Sequence, residues 1–491
     1  MPKSSARTIE RFVGGSQTRT SQRVIRPKEQ ATMKRLILLL TLMTLGLFPR
    51  AASAQGLLGG LVSDITQTVS TVAGDLLGQP QAVIVRTNLG LSGLKNVCLA
   101  NGCTVLRNLD GSENQVFLVQ PAQGLLPSVL ADLLKLIDGI LDAEPDQLVI
   151  LPVISNSGPF QTTTPTYLYN ETPVNYYGSV VWDGYVTQPA AGIIDLPQAR
   201  SAFGLTGSGI VADIDTGVDP NHPALKPVLL QGYDFTRNQP GGSEMTDLNG
   251  ATGSACSSCQ AAFVDQHTAA MLDQHTAAML DGSPYSAFGH GTEVMGMIHL
   301  VAPTARLLPV KTFSANGTGT LSNILSGIYY AVQNNANVIN MSFELSSSST
   351  ELSDAINYAN SNNVVCVASS GNDGEDEVVY PAGLQNVMGV ASTNDFDQRS
   401  SFSNYGDQVV WVAGPGENVV TTYPFGTYSV TSGTSFTSPM VAGTVALLIN
   451  HQRQMNQSTA ATAISNANWI GPNMGYGELD VYSALSWLFQ Q

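Results

Sequence analysis

The sequence predicts an α/β fold: a three-layer domain with a parallel central sheet covered by helices on both faces, preceded by a small α+β unit. From about Pro189 onward, short apolar runs such as "GIVADID" and "VVCVAS" alternate with helix-like segments, which is typical of a sheet buried on both faces. Before it, about 95 residues follow another order of elements. A chain of 491 residues is long enough for one large domain with such an accessory unit.

Residues 1–54 indicate an N-terminal extension and a secretory signal peptide. Met33-Lys34-Arg35 precedes an apolar run over residues 36–48, and the small residues "AASA" end at Ala54. Such a run is too short to span a bilayer comfortably, so we expect cleavage near Ala54, export, and translation that starts at Met33. The alternative is an uncleaved N-terminal anchor.

Charge is distributed unevenly along the chain. Of the 21 Lys and Arg residues, 10 lie before Gln55, which leaves 11 basic against 35 acidic residues and a net charge of −24 for the remainder. Such a surface repels nucleic acid and anionic membranes, so we expect neither as a partner. Because repulsion between carboxylates relaxes on acidification, we also expect the protein to tolerate mildly acidic surroundings.

Residues 55–152 read as strand, helix, strand, strand, helix, strand, the order of a ferredoxin-like unit. The strands are predicted at "AVIVR", "CTVLRNL", "NQVFLVQ" and "DQLVILPV", and the helices around residues 91–99 and over 127–141. A polar passage rich in Thr, Pro and Asn predicts a linker over residues 153–189. The large domain is then predicted over residues 190–491.

Three motifs in the large domain carry chemistry at strand ends and helix starts, where α/β sheets collect it. "GIVADIDTGVD" ends a strand at Asp215, "FGHGTEVMGMIH" begins a helix near His290, and "TSGTSFTSPMVAGTVALL" places Ser435 just before a helix. A serine hydroxyl needs an imidazole to take its proton, and the imidazole needs a carboxylate to orient it. After a further strand, "SSGN" places Gly371-Asn372 where the asparagine amide could join the Ser435 N–H as an oxyanion donor.

These motifs resemble those of subtilisin-like serine proteases, the subtilases. "DTG", "GHGT", "SSGN" and "GTSFTSP" are similar to the aspartate, histidine, oxyanion-asparagine and nucleophile motifs of that family and occur in the same order. "VINMSF" resembles its substrate-binding strand, and "GYGELDVYSAL" resembles its C-terminal end. The resemblance covers roughly residues 190–491, and the upstream unit resembles the family's pro-domain, which assists folding and then blocks the cleft.

The resemblance implies a secreted, monomeric serine endopeptidase that cleaves polypeptides through an acyl-enzyme and is inhibited by its own pro-domain. Ser435 would attack the peptide carbonyl, His290 would act as general base and then acid, and Asp215 would orient His290. Asn372 and the Ser435 N–H would hold the oxyanion. The substrate-binding residues that it implies are Ser342, Phe343, Glu344 and Gly371.

No cofactor is required by this chemistry, and no metal ligand can be named. Bound calcium is common in the family, but the acidic loops "YDFTRN", "SEMTDLNG" and "SSGNDGEDE" are interpreted as solvated surface. Two other functions stay open: a catalytically silent scaffold that binds peptides in the same cleft, and a metal-dependent hydrolase built on a doubled Asp-x-His pattern.

That pattern lies in an octapeptide that occurs twice, over residues 265–272 and 273–280, and carries His267 and His275. In a helix these histidines would be about 12 Å apart along the axis, so one metal ion could not readily be held by both. We interpret the repeat as a local duplication with a structural or neutral role.

Several single residues carry weaker expectations. Glu293 departs from the family pattern, and we expect it to point to solvent, with an approach to the His290 imidazole as the alternative. Glu344 could attract basic substrate side chains or obstruct the cleft. Asp213 is expected to bond to nearby backbone or a helix end, and His222 is expected to make a structural hydrogen bond. Cys98 and Cys103 could pair, Cys256 and Cys259 could close a short loop, and Cys366 is expected to be a buried free thiol.

Overall fold

The structure is a computed structural model and describes residues 81–151, 170–250 and 285–491. The predicted signal peptide, residues 153–169 of the predicted linker, Cys256 with Cys259, and the repeat with His267 and His275 lie outside the described residues.

The N-terminal unit has the predicted order of elements. Its bounds are β1 (Val83–Thr87), α1 (Gly90–Asn101), β2 (Cys103–Asn108), β3 (Val116–Pro121), α2 (Pro127–Leu134) and β4 (Ile140–Pro145). The four strands pair antiparallel in the order β2-β3-β1-β4, which is the ferredoxin-like arrangement. A separate apolar core, which includes Val85, Phe117 and Leu130, lies between this sheet and the two helices.

The end of this unit differs from the prediction. The second helix ends at Leu134 rather than at residue 141, since Gly139 has a φ of 90° that a helix does not accept. The fourth strand of the sheet is therefore β4. The run "DQLVILPV" contributes instead β5 (Leu148–Ile150), which pairs antiparallel with β12 (Thr318–Thr320) of the large domain.

Cysteine placement is partly as predicted. The Cys98 and Cys103 thiols lie in hydrogen-bonding contact but form no disulfide, so the expected pairing of these two residues is wrong for this structure. Cys366 is a fully buried free thiol, as predicted, and burial raises its pKa to about 12.

The large domain has the predicted α/β composition. Its strands are β6 (Pro173–Tyr176), β7 (Ser179–Trp182), β8 (Ile210–Asp215), β9 (Tyr233–Asp234), β10 (Gln239–Pro240), β11 (Arg306–Lys311), β12, β13 (Val338–Met341), β14 (Val365–Ser369), β15 (Met388–Thr393), β16 (Val412–Pro415), β17 (Val419–Tyr423) and β18 (Thr427–Thr431). Its helices are α3 (Asp183–Thr187), α4 (Pro189–Ile193), α5 (Leu196–Phe203), α6 (His290–Val301), α7 (Leu321–Gln333), α8 (Thr350–Ser361), α9 (Ser438–His451), α10 (Gln457–Ile464) and α11 (Val481–Phe489).

The central sheet has the strand order β10-β9-β11-β8-β13-β14-β15-β16. All of its neighbouring pairs except β10-β9 are parallel. β8 lies inside the sheet, between β11 and β13, and its residues alternate between two apolar cores. Val211 belongs to the core that contains α6 and α9, whereas Ala212 and Ile214 belong to the core that contains α7 and α8. The predicted three-layer architecture is confirmed.

Part of the segment predicted as a linker is folded. Residues 173–187 form β6, β7 and α3, and the side chains of Tyr176, Val181 and Tyr185 are buried in the core around α6 and α9. The packed part of the large domain therefore begins before residue 190. None of the helices in the described part of the chain is long and apolar enough to cross a membrane.

The close contact of β15 with the chain before β16 makes a testable prediction. A Cβ added at Gly389 would lie 1.8 Å from the Val409 carbonyl oxygen, so Gly389→Ala must displace backbone. We expect a loss of about 1–3 kcal/mol in the free energy of unfolding. Thermal unfolding, followed by circular dichroism in a Ser435→Ala background, would measure it.

Gly192→Ala is the matched control, because a Cβ at Gly192 in α4 meets no atom within 4 Å. It should leave the unfolding temperature unchanged or raise it slightly, since alanine favours a helix over glycine. Equal losses in both variants would contradict the packing argument.

Candidate active site

Asp215 and His290 meet at the carboxyl end of the central strand. Asp215 is the last residue of β8, and His290 is the first residue of α6. His290 Nδ1 lies 2.7 Å from Asp215 Oδ1 and 2.9 Å from Oδ2, and both side chains are at least 96% buried. A carboxylate only accepts hydrogen bonds, so this contact places a proton on Nδ1 and leaves Nε2 for another partner.

Glycines allow the two segments to come so close. Gly217 has a φ of 98°, and a Cβ there would lie 2.7 Å from the Gly242 carbonyl oxygen. A Cβ at Gly291 would lie 2.1 Å from the Gly217 carbonyl oxygen. The Thr216 amide also donates to Asp215 Oδ1 at 2.6 Å, which fixes the carboxylate from its own turn.

Ser435 lies in the short helical turn Thr434–Phe436 that precedes α9. The ring of the adjacent Phe436 lies 5.6 Å from the His290 ring, centroid to centroid, so the serine turn contacts the start of α6. Ser435 is 2% exposed. Pro439 stands in the first turn of α9, as predicted, where its missing N–H removes no helical hydrogen bond.

Asn372 follows β14 and is fixed to the same turn. Its Oδ1 accepts from the Thr434 amide at 3.0 Å and from Thr434 Oγ1 at 2.9 Å. Both contacts use the carbonyl oxygen, so Nδ2 is the side of the amide that is left to donate elsewhere. The structure therefore brings Asn372 and Ser435 together through one intermediate residue.

The segment after β13 contacts the serine turn from the other side. Ser342 Oγ donates to the Ser435 carbonyl oxygen at 3.0 Å and accepts from Asn340 Nδ2 at 3.0 Å. Ser342 and Phe343 are both fully buried, and Phe343 packs on Phe313 with ring centroids 5.4 Å apart. Neither of these two predicted substrate-binding residues therefore presents its side chain at the surface.

Glu344 lies against Gly371. A Cβ at Gly371 would be 2.3 Å from Glu344 Oε2, an oxygen that is itself buried. Burial, together with the nearby carboxylates of Asp373 and Glu377, raises the pKa of Glu344 to about 8. This carboxyl therefore lies against the residue that directly precedes Asn372.

The expectation that Glu293 points to solvent is wrong. Glu293 is fully buried, and its Oε1 accepts from Ser429 Oγ at 2.6 Å. The hairpin of β17 and β18 covers the first turn of α6, and Thr421 Oγ1 donates to the Glu293 carbonyl oxygen at 2.6 Å.

Asp213 and His222 are bound within the structure. Asp213 is 1% exposed and accepts from Asn340 Nδ2 at 2.9 Å, and burial raises its pKa well above the usual value. Its observed partner is a side chain, whereas backbone or a helix end was expected. His222 Nε2 lies 2.9 Å from the Thr427 carbonyl oxygen, as a structural histidine should, and burial lowers its pKa.

In two of the acidic loops, the carboxylates form ion pairs with Arg and Lys side chains of the protein. Asp234, in "YDFTRN", and Asp247, in "SEMTDLNG", both pair with Arg237, at 3.1 Å and 2.6 Å. Asp247 Oδ2 also lies 2.9 Å from Lys311 Nζ. Among the described residues, no group of three or more His, Cys, Asp or Glu side chains could hold a metal ion. The carboxylates of these two loops therefore do not fit calcium.

Three threonines that the sequence did not single out support the site. Each lies within a motif and is fully buried with a hydrogen-bonded hydroxyl: Thr216 in "DTG", Thr292 in "GHGT" and Thr434 in "SGTS". Their presence inside the motifs was a signal, but their role depends on contacts between distant segments.

Comparison with known proteins identifies the family pattern. A family profile described as "Subtilase family" matches residues 207–479 of this chain. A thermophilic serine proteinase of Bacillus sp. (strain AK1) is 33% identical over 343 residues, which cover 69% of this chain and 76% of the relative. Thermitase of Thermoactinomyces vulgaris is 34% identical over 295 residues, which cover 59% of this chain and 94% of the relative.

Two further comparisons agree. Subtilisin Savinase of Lederbergia lenta is 35% identical over 298 residues, 57% of this chain and 93% of the relative. The crystal structure of fervidolysin from Fervidobacterium pennivorans, a keratinolytic enzyme related to subtilisin, superimposes with a TM-score of 0.62 at 21% identity. That similarity covers 83% of this chain and 61% of fervidolysin and shows a shared fold.

The raised pKa of Glu344 predicts how stability depends on pH. The folded protein keeps a proton on Glu344 up to about pH 8, whereas the unfolded chain releases it near the ordinary value of 4.5. Stability should therefore fall as pH rises through this window. Glu344→Gln should reduce this fall by the contribution of up to one proton, which is about 1.4 kcal/mol in the free energy of unfolding per pH unit.

Unfolding temperatures between pH 5 and 8, measured in a Ser435→Ala background, test this. Glu171→Gln, at an exposed position, is the control and should leave the slope as it is. If the Glu344 variant retained the full pH slope, its carboxyl would not be the group that carries the proton.

Proposed function

The chain belongs to the subtilase family and is a subtilisin-type serine endopeptidase, and we propose that Asp215, His290 and Ser435 form its catalytic triad. The observation that carries this proposal is the buried contact of His290 Nδ1 with both carboxylate oxygens of Asp215, at 2.7 and 2.9 Å. The position of the serine turn against His290, through Phe436, supports the third member.

The proposed reaction follows from this arrangement. Ser435 Oγ bonds to the carbonyl carbon of the scissile peptide while its proton passes to His290 Nε2. His290 then gives that proton to the leaving amine nitrogen as the C–N bond breaks and an acyl-enzyme remains. A water molecule repeats the sequence at the ester, and the acid product leaves. Asp215 stays ionised throughout and stabilises the imidazolium that forms twice.

The proposed oxyanion donors are Asn372 Nδ2 and the Ser435 amide. The two bonds from Thr434 to Asn372 Oδ1 orient the amide with its donor side outward, which supports this role. The Ser435 amide lies at the start of a helical segment, where peptide dipoles favour negative charge. Fixed donors of this kind stabilise the tetrahedral intermediate more than the ground-state carbonyl.

We propose that substrates bind as an extended strand along the segment that contains Ser342, Phe343 and Glu344. Gly371, which lies against Glu344, would also contact the substrate. The contact of this segment with the serine turn, from Ser342 Oγ to the Ser435 carbonyl oxygen at 3.0 Å, supports this placement. The Glu344 carboxyl, close to Gly371, would then face a substrate side chain. Catalysis of this kind requires no cofactor.

The N-terminal unit is proposed to be an intramolecular inhibitor. Its last described strand, β5, pairs with the edge strand β12, and the Leu151 amide donates to the Gly317 carbonyl oxygen at 2.9 Å. A substrate strand that pairs with the same edge would have to displace it.

Charged side chains anchor this unit to two helices of the large domain. Asp146 accepts from the Ser322 amide at 2.8 Å and from Ser322 Oγ at 2.7 Å, at the start of α7. Glu144 accepts from Ser349 Oγ, the N-cap residue of α8. Carboxylates at helix N-termini stabilise the free amides there. These contacts support the view that the unit assists folding of the large domain and then blocks it.

Export of the protein is proposed from the signal-like residues 33–54, with the N-terminal unit over residues 55–152 removed during maturation. We propose a monomeric, extracellular enzyme that acts on polypeptides. We propose that the N-terminal unit is cleaved off after residue 150 and before Pro173, because β5 ends at Ile150 and the folded segment of the large domain begins at Pro173.

The triad makes a sharp prediction. Ser435→Ala removes the nucleophile, so kcat for casein or a peptide amide should fall by about 10⁶-fold. Labelling by a fluorophosphonate should be lost as well, and N-terminal sequencing should find the N-terminal unit still attached.

Ser465→Ala is the matched control, since Ser465 Oγ only caps a helix end by donating to the Thr462 carbonyl oxygen. It should retain activity, labelling and processing. A folded Ser435→Ala protein that still cleaved casein would overturn the proposed triad.

The proposed anchoring of the N-terminal unit predicts an effect of Asp146→Ala, which is measured in a Ser435→Ala background. Asp146→Ala removes both acceptors at the start of α7, and loss of such a cap costs about 1 kcal/mol. Hydrogen exchange should therefore become faster at the Ser322 amide and along β5.

Asp142→Ala, which removes an ion pair within the N-terminal unit itself, serves as the comparison. It should leave exchange along β5 unchanged. Equal protection of β5 in both variants would show that Asp146 does not anchor the unit.

A further inference from the structure

Glu244 is a fully buried carboxylate that accepts three hydrogen bonds from two segments of the site. Its Oε2 accepts from the Gly289 amide at 2.7 Å and from Thr216 Oγ1 at 3.3 Å, and its Oε1 accepts from Thr292 Oγ1. The interpretation of its loop, "SEMTDLNG", as solvated surface is wrong for Glu244. Three hydrogen-bond donors thus converge on one carboxyl group that has no role in the proposed reaction steps.

The donors flank the Asp215–His290 contact on both sides. Thr216 directly follows Asp215, and Gly289 directly precedes His290 and is the N-cap residue of α6. Glu244 therefore attaches the turn after β8 and the start of α6 to one common acceptor. A shift of either segment would lengthen the 2.7 Å contact between His290 and Asp215.

The direction of each hydrogen bond requires an acceptor at Glu244. Thr292 Oγ1 accepts from the Asp219 amide at 2.8 Å, and Thr216 Oγ1 accepts from the Gly291 amide at 2.9 Å. Each hydroxyl has one proton, and in both cases it points to Glu244. A protonated carboxyl, or the NH₂ of a glutamine, would instead place a donor among donors.

The surroundings act on the charge of Glu244 in both directions. Burial raises its pKa to about 8, the bonds from Thr292 and Gly289 and the charge of Lys311 lower it, and Asp215 raises it. The N-terminus of α6 also favours an anion there. The charged or titratable groups that face Glu244 come from the strands packed around it: Asp213, Asp215, Lys311 and Tyr423.

We propose that Glu244 is a positioning residue whose ionised carboxylate holds Asp215 and His290 in their reactive geometry, so that peptide cleavage requires Glu244 to be ionised. This inference rests on the proposed triad. Glu244 touches no reacting atom; it acts through Thr216, Thr292 and Gly289. Misplacement of a reacting group by about 1 Å is enough to lower a rate by about 10²-fold.

The test compares Glu244→Gln with wild type on a chromogenic peptide amide, with active sites counted by fluorophosphonate titration. At pH 9, kcat should fall by about 10- to 100-fold, while KM stays within about twofold because no substrate contact changes. Glu244→Asp, which keeps an ionised carboxylate, should recover part of kcat.

The pH profile separates this role from a purely structural one. As pH falls from 9 to 6, wild-type Glu244 becomes protonated and comes to resemble glutamine, so the ratio of wild-type to Glu244→Gln kcat should shrink. A loss of stability alone would give a ratio that does not depend on pH. A constant ratio, or unchanged kcat at pH 9, would overturn the inference.

Glu478→Gln is the matched control, because Glu478 is also buried and burial also raises its pKa to about 8. Its backbone bonds to Asn468, on a different part of the domain. This variant should keep wild-type kcat at every pH, and a loss equal to that of Glu244→Gln would contradict a specific role for Glu244.

If Glu244→Gln fails to mature, Thr292→Val and Thr292→Ser take its place. Valine removes the donor to Glu244 Oε1, whereas serine retains it. The valine variant should lose more than tenfold in kcat relative to the serine variant, and equal activities would overturn the inference.

The Ser435→Ala variant distinguishes failure of the triad from failure of the role of Glu244. If Ser435→Ala is active, the proposed triad is overturned. If Ser435→Ala is inactive and Glu244→Gln has normal kcat, only the role of Glu244 is overturned.

Discussion

The contact between Asp215 and His290 is the constraint on which the rest of the site depends. The two residues are 75 positions apart in the chain and meet only because β8 ends where α6 begins. Because β8 lies inside a sheet with a core on each face, its last residue is carried into a buried place with little freedom to move. The glycines at 217 and 291 are needed for the same reason, since a Cβ at either would clash with backbone.

Burial of a carboxylate has a cost that the surrounding charges must offset. Lys311, at the end of the neighbouring strand β11, is fully buried and donates from Nζ to the carbonyl oxygens of Thr216 and Phe313, both at 2.7 Å. It also pairs with Asp247. Acidic residues far outnumber basic ones after residue 55, and Lys311, one of the few basic residues there, lies next to the turn that follows Asp215. The acidic excess is a property of the whole chain, whereas the charge of Lys311 acts locally, on Asp247 and on Glu244.

The features that the sequence predicted are those that local backbone geometry dictates. Asp215 ends an apolar strand, His290 stands between glycines, and Ser435 precedes a helix with an early proline, so each is visible in a short motif. The burial of Glu293 and the role of Glu244 were not predictable in this way. Ser429, which bonds Glu293, is 136 residues away, and Gly289, which bonds Glu244, is 45 residues away. A charged residue in the first turn of a helix or in a loop is normally solvated, and only the segment that covers it reverses that expectation.

The same reasoning explains how a covalently attached strand can inhibit and yet be released. β5 pairs with the backbone of β12, as other extended peptides can, and it also buries the side chain of Val149 in an apolar core of the large domain. Its advantage while attached is a high effective concentration at that edge, which cleavage abolishes. The anchors at Asp146 and Glu144 lie at helix starts rather than at the edge itself, so they hold the N-terminal unit without taking part in strand pairing. The proposed inhibition therefore has two parts, the pairing of β5 with β12 and the anchors at the helix starts, and substrates would compete only with the first.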